Sequence, residues 1–166
     1  MKDILTKRCK LIRLCEADKK ELTELYTSED VRKYLGGACS EEKAMDKLRG
    51  LMSVPNGYNF VAKLNNTNCT IGLLMIAPYH DSKDMEISYM FLPKYWGKGY
   101  AKEAIKALLD FCKSELNLTR VVSETQAANV SSCRLLESLG YMVEKEIDRF
   151  GEKQMVYVYE YSEVKI

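Results

Sequence analysis

The densest chemistry in this 166-residue chain lies in Leu92-Pro93-Lys94-Tyr95-Trp96-Gly97-Lys98-Gly99-Tyr100-Ala101-Lys102-Glu103-Ala104. An alternating stretch, Met85 to Leu92, runs into a turn with two glycines, and the turn runs into the strongest helical period of the protein. A helix starting there leaves its first N–H groups without partners and adds the positive end of its dipole, which together hold an anion such as a phosphate. Gly97 and Gly99 let an oxyanion approach the backbone with no Cβ in the way, and Lys98 adds charge at the rim. Tyr100 and Ala101 supply the first helical N–H groups.

Three phosphate loops compete for this segment. A Walker A loop needs GxxxxGK[ST], and Gly97 to Lys102 has neither the spacing nor the hydroxyl. The dinucleotide fingerprint GxGxxG would put its third glycine at Lys102, and it belongs early in a βαβ unit rather than past mid-chain. The acyl-CoA pyrophosphate loop, [Q/R]-x-x-G-x-[G/A], is met in its last two fixed positions by Gly99 and Ala101. A strand-to-helix turn with glycines for geometry alone stays open beside it.

Other chemistries are poorly supplied. The six cysteines, at 9, 15, 39, 69, 112 and 133, include no CxxC pair. With the single histidine His80, a zinc site would be hard to assemble from them. Serine and cysteine triads would both have to pass through His80, which has no nucleophile elbow near it. The 25 basic residues against 24 acidic ones leave a net charge of +1, no footprint for nucleic acid. No apolar run reaches the roughly 18 residues that span a bilayer, and no signal-type stretch follows the amino terminus. The expectation is a cytoplasmic protein with reduced thiols, no metal, no nucleic acid and no membrane.

The elements that must position the glycine turn follow from periodicity. Cys9 to Cys15 alternates as a strand; Asp18 is expected to cap a helix through Leu22, Leu25 and Tyr26. A short helix runs from Ser28 to Leu35 and stops at Gly36-Gly37. Ser40 caps another with Ala44, Leu48, Leu51 and Met52 inward. Tyr58–Leu64 and Cys69–Ile76 form a hairpin, and Met85–Leu92 is a further strand. The long helix runs from Tyr100 to about Leu116. Thr119–Thr125 is a strand, Asn129 opens a helix closed by Gly140, and two strands end the chain, near Tyr141–Ile147 and Gln154–Tyr161. Early helices, then hairpins, then β-α-β-α-β indicate one α+β domain over residues 1–166. Exposed C-terminal strands would suit a homodimer.

With Asn129-x-x-Ser132 and Leu136-Glu-x-x-Gly140-Tyr141 set beside Trp96-Gly-Lys-Gly-Tyr-Ala101 and Glu103-Ala104, the sequence resembles the GCN5-related N-acetyltransferase (GNAT) superfamily. In particular it resembles the branch of ribosomal-protein N-terminal acetyltransferases, the RimJ/RimL type. The likeness includes Lys10-Leu-Ile-Arg-Leu14 and Asp18 and spans roughly residues 9–161. It implies a three-layer α+β fold, with a twisted, mostly antiparallel sheet splayed between the fourth and fifth strands and helices on both faces. It further implies that acetyl-CoA lies in the splay with its pyrophosphate on Gly97–Ala101. The pantetheine arm would pair with the backbone of Phe91 and Leu92, and Asn129 would meet it from the other wall, although Asn129 equally reads as a helix cap. The implied activity is acetyl transfer to a primary amine, of a protein N-terminus or a small molecule, in a ternary complex. A non-catalytic acyl-CoA sensor is the alternative.

Such a transfer needs a neutral amine and a proton for the departing thiolate. An α-amine of pKa near 8 is roughly one-tenth neutral at pH 7, a lysine amine near 10.4 only about 0.04%. On the resemblance Glu86 is the base, directly or through water, with Ser88 on the same face. Many relatives place a tyrosine where this chain has Leu136, which cannot donate a proton. Ser132 is the natural substitute, orienting a water or bonding the thiolate. Tyr26, Tyr34 and Tyr58 are candidates for the acceptor rim.

Overall fold

The computed structural model describes residues 2–81 and 83–162, so both ends of the expected 1–166 domain lie outside the described residues. A two-residue strand β1 (Ile4–Leu5) forms a hairpin with β2 (Cys9–Arg13). Two residues carry no readable period, so the alternation began only at Cys9. A 3₁₀ turn at Glu16–Asp18 leads into α1 (Lys19–Thr27). Asp18 occupies the N-cap position of α1 without capping it. Its carboxylate turns back to accept from the Cys15 N–H at 3.1 Å and to meet the Lys63 ammonium at 3.1 Å. A buried lysine needs a counter-charge more than a helix end needs a cap.

Ser28 accepts from the Val31 N–H and starts α2 (Glu29–Arg32), which ends sooner than the glycine pair suggested. Ser40 likewise accepts from Lys43 N–H at the start of α3 (Glu41–Met52). Ala44 and Leu48 of α3 are buried, while Met52 is exposed rather than inward. The hairpin β3 (Tyr58–Leu64) and β4 (Thr70–Pro78) follows, and β4 pairs antiparallel with β5 (Met85–Phe91) from Gly72↔Phe91 to Pro78↔Met85. Then come α4 (Tyr100–Ser114), β6 (Arg120–Gln126), α5 (Val130–Ser138), β7 (Met142–Arg149) and β8 (Glu152–Glu160). The strands form one eight-stranded sheet in the order β1-β2-β3-β4-β5-β6-β8-β7, antiparallel except at β5/β6.

Strand alternation sends apolar residues to both faces, so helices must cover both. Phe60, Leu74, Ile76, Ile87 and Phe91 pack under Ile105, Leu108 and Phe111 of α4 and Leu136 of α5. Val61, Leu73 and Met90 pack on the other face with Leu22 and Leu25 of α1 and Leu48 of α3. Tyr58 packs edge-on against Phe111, on the α4 face, away from Glu86. Its ring is therefore on the face of the sheet opposite Glu86.

The sheet is split. β5 and β6 are joined in register at Glu86↔Val122 alone, whereas β4 and β5 pair over seven residues. Because β1 adds one strand to the count, this is the splay expected between the fourth and fifth strands. Two side chains end the parallel ladder. Its next bond would run from the Glu124 N–H to the Ile87 carbonyl. Instead the Glu124 N–H turns to Glu86 Oε1 at 3.4 Å, and the Ser123 hydroxyl donates to the Ile87 carbonyl at 2.7 Å.

Candidate active site

Beyond that vertex, β5 presents one open edge. The Leu92 N–H donates to the Ile71 carbonyl at 2.9 Å, so Leu92 bonds toward β4. Antiparallel alternation then turns the N–H and C=O groups of Phe91 and Tyr89 to the opposite edge, into the cleft. The Trp96 indole N–H donating to the Phe91 carbonyl at 2.7 Å agrees with that parity. The backbone of Phe91 thus faces the cleft. Leu92 does not, since its carbonyl is also taken, by the Tyr95 N–H at 2.9 Å. Tyr89 is the second residue whose backbone faces the cleft. Gly72 permits this arrangement, because a Cβ there would lie 2.6 Å from the Met90 carbonyl oxygen and 2.7 Å from the Phe91 ring.

At the far end of the cleft, α4 begins without a side-chain cap. Its N-cap Gly99 has φ +80°, and Gly97 has φ +69°, both in the left-handed region that favours glycine. A Cβ on Gly97 would meet nothing within 4 Å, so the loop is open there. The N–H groups of Tyr100, Ala101 and Lys102 are the unpaired donors of the first turn. Lys98 folds its ammonium onto the Lys94 carbonyl at 2.8 Å, at the rim of the loop.

The start of α5 forms the opposite wall. Asn129 Oδ1 accepts from the Ser132 N–H at 3.2 Å, so the amide side chain is a genuine cap. The Ser132 hydroxyl lies 2.7 Å from the Tyr89 phenol, which reaches it from β5. Burial pushes the Tyr89 phenol up to about 12, against the pull of the Ser132 hydrogen bond.

Glu86 lies on the other face of β5, at the vertex. Burial pushes its carboxyl up to about 7; the Glu124 N–H pulls it down, the Glu124 charge raises it and Arg149 lowers it. Around it stands a network absent from the sequence reading. Glu124 accepts from the Tyr79 phenol at 2.7 Å and pairs with Arg149 at 2.8 Å, and His80 Nε2 comes within 3.7 Å. Tyr79 is held well above its ordinary range by burial and by that bond to Glu124. A carboxylate near neutrality at the closed end, hydroxyls on one wall and an anion-receptive helix at the open end can move a proton, steady a leaving group and hold a phosphate ester.

The structure therefore gathers Glu86, Phe91, Gly97, Lys98, Gly99, Tyr100, Ala101, Asn129 and Ser132 along one split in the sheet, with Glu86 and Ser132 on opposite faces. Tyr89 escaped notice because Ile87, Tyr89 and Phe91 read as an apolar face of a strand. Glu124 and Arg149 come from strands 38 and 63 residues downstream of Glu86, where no spacing links them.

Comparison with known proteins identifies the family and the fold. The family model described as "Acetyltransferase (GNAT) domain" matches residues 8–142. An uncharacterised N-acetyltransferase of Bacillus subtilis (strain 168), YnaD, is 34% identical over 142 residues, covering 82% of this chain and 81% of that protein. The crystal structure of a GNAT-family acetyltransferase from Bacillus anthracis aligns with a TM-score of 0.84 and 26% identity, over 96% of this chain and 98% of that one. The fold is shared as well by the Salmonella typhimurium acetyl transferase that modifies the N-terminal serine of a 50S ribosomal subunit protein. That match has a TM-score of 0.84 and 15% identity, over 97% of this chain and all of the other.

Proposed function

The chain belongs to the GNAT acetyltransferase family and uses acetyl-CoA to acetylate an amine; we propose that it does so by direct transfer in a ternary complex, with Glu86 as general base. The carrying observation is a half-buried carboxyl at the vertex of the β5/β6 split, which desolvation pushes up to about 7. Glu86 takes the proton from the acceptor amine, directly or through a water, as nitrogen attacks the thioester carbonyl. The cleft-facing N–H of Phe91 stabilises the developing oxyanion. Ser132 donates to the sulfur as the C–S bond breaks, and Tyr89 orients it. In this reading the Tyr89 phenol donates to Ser132 Oγ, 2.7 Å away, which leaves the serine O–H free to hydrogen-bond the departing thiolate. Gly97, Lys98, Gly99, Tyr100 and Ala101 receive the pyrophosphate, Asn129 reaches the pantetheine with its amide N–H, and Phe91 and Tyr89 pair with that arm.

The acceptor is a primary amine of a protein N-terminus or a small molecule. The RimJ/RimL-type branch is supported by the fold shared with the Salmonella typhimurium enzyme. The reading extends to one domain over residues 1–166, working in the cytoplasm without metal or nucleic acid. Among the described residues no group of three or more His, Cys, Asp or Glu is placed to hold a metal ion. No helix among the described residues is long and apolar enough to cross a membrane. A homodimer is supported by the exposed Met142 and Val143 on the edge strand β7.

The test pairs calorimetric titration of acetyl-CoA with thiol release over a panel of amines. Wild type should bind one acetyl-CoA and turn over. Glu86→Gln should bind it equally well but lose about 10² or more in rate, the usual worth of a positioned base. Full activity in Glu86→Gln would remove the base assignment. Binding without turnover on any amine would favour the sensor reading.

A further inference from the structure

The start of α4 carries a contradiction. Glu103 is a carboxylate in the first turn of the helix that receives the cofactor's phosphates, and a negative charge there competes with the anion for the same dipole and N–H groups. The Lys98 carbonyl is a second threat, because a peptide plane turned the wrong way would aim an oxygen where the loop must present N–H groups.

Both are tied to the β1–β2 turn. Glu103 Oε1 accepts from the Thr6 hydroxyl at 2.6 Å and the Arg8 backbone N–H at 2.7 Å, while Oε2 pairs with Arg8 Nε at 2.7 Å. Burial works to raise this carboxyl, yet the bonds from Thr6 and Arg8 hold it below its ordinary range. Arg8 Nη1 donates to the Lys98 carbonyl at 2.9 Å, and the guanidinium lies over the Tyr100 ring, 4.4 Å from its centroid. In a trans peptide the N–H points opposite to the C=O. Committing the Lys98 oxygen to Arg8 therefore turns the Gly99 N–H the other way.

We infer that Arg8 is a positioning residue that makes the loop receptive to the cofactor's phosphates, by occupying the Glu103 carboxylate and the Lys98 carbonyl. The inference rests on the reading of Gly97–Ala101 as the phosphate loop. It assigns Arg8 no contact with the phosphate. Its worth lies in what it withholds from the site, so removing Glu103 as well should relieve most of the need for Arg8 and leave only its hold on the Lys98 carbonyl.

The experiment is a double-mutant cycle read by calorimetric titration with acetyl-CoA, with thermal unfolding as the fold control. Arg8→Ala should weaken binding about tenfold, with the kinetic loss in KM for acetyl-CoA and not in kcat at saturation. Arg8→Lys, which keeps the charge but not the fork, should lose nearly as much. Glu103→Gln should bind no more weakly than wild type, and the double variant should recover most of the Arg8→Ala loss. An undiminished loss in the double variant would mean that the Glu103 carboxylate is not what Arg8 withholds from the phosphates and overturns the inference, as would wild-type affinity in Arg8→Ala. Should Arg8→Ala fail to fold, Glu103→Gln decides alone: tenfold weaker binding overturns the inference, and unchanged or tighter binding upholds it. A wild-type chain that binds no acetyl-CoA overturns the phosphate-loop reading and this inference together.

Discussion

Two helices begin beside the cleft, each directly after a strand that borders it, and they begin differently. At α5 the chain answers its own first turn, with Asn129 Oδ1 accepting the Ser132 N–H. At α4 the N-cap is Gly99, in a left-handed conformation with no side chain to offer. Every helix start has the same unpaired donors and the same dipole. Only the start whose own chain leaves the donors unanswered is free to bind a ligand, while the capped one is free to hold side chains such as Ser132 in place.

Exchanging these properties gives the sharpest breaks. Gly99→Val forces a β-branched residue to φ +80° and sets a Cβ 3.3 Å from Arg8 Nη2. A left-handed conformation costs an ordinary residue roughly 1–2 kcal/mol, so acetyl-CoA affinity should fall about 10-fold or more by calorimetry. Unchanged affinity would refute the open start as the phosphate site. Next in size is a contrast in pH. Backbone donors at α4 do not titrate, whereas Glu86 does, near 7. Acetyl-CoA affinity should stay nearly flat from pH 6 to 8 while kcat/KM rises about tenfold or more over that range. The same raised pKa makes protonated Glu86 a stabilising group below its unfolded value near 4.5, a contribution lost as pH climbs through about 7. Glu86→Gln should therefore flatten the decline in stability over pH 5–8, as thermal unfolding would reveal.

Smaller effects separate the roles at α5. Tyr89→Phe removes one hydrogen bond of about 0.5–1.5 kcal/mol, so kcat should fall about three- to tenfold with KM for acetyl-CoA unchanged. In a Ser132→Ala background it should cost nothing further; additive losses would mean that the two hydroxyls act separately. Asn129→Ala should cost about 1 kcal/mol of stability through the lost cap. Asn129→Asp keeps an acceptor oxygen and restores that stability, and it raises KM only if the amide N–H also serves the cofactor.

Legibility differed by the range of the interactions. Cys9–Arg13, Tyr58–Leu64 and Met85–Phe91 were readable because alternation is local. The ends of α4 and α5 were marked by Gly99, Asn129 and Gly140 for the same reason. Asp18 was read as a cap because that position suits one, yet Lys63, 45 residues away, claims its carboxylate. Leu92 was paired with Phe91 because neighbours look alike in sequence, whereas strand parity gives Phe91 to the cleft and Leu92 to β4. The face on which Tyr58 lies is likewise assigned only by its packing on Phe111.

By itself the sequence determined the order of elements, the open glycine start of α4, the capped start of α5 and the placing of Glu86 on the strand that enters the turn. These depend on backbone preferences and periods within a few residues. Only the tertiary structure decided where the sheet parts, which β5 edge is exposed, how burial brings Glu86 near neutrality against the pull of the Glu124 N–H, and that Arg8 holds Glu103 and Lys98. Each of those needs groups tens of residues apart to meet. Desolvation and hydrogen-bond direction exist only once they have done so.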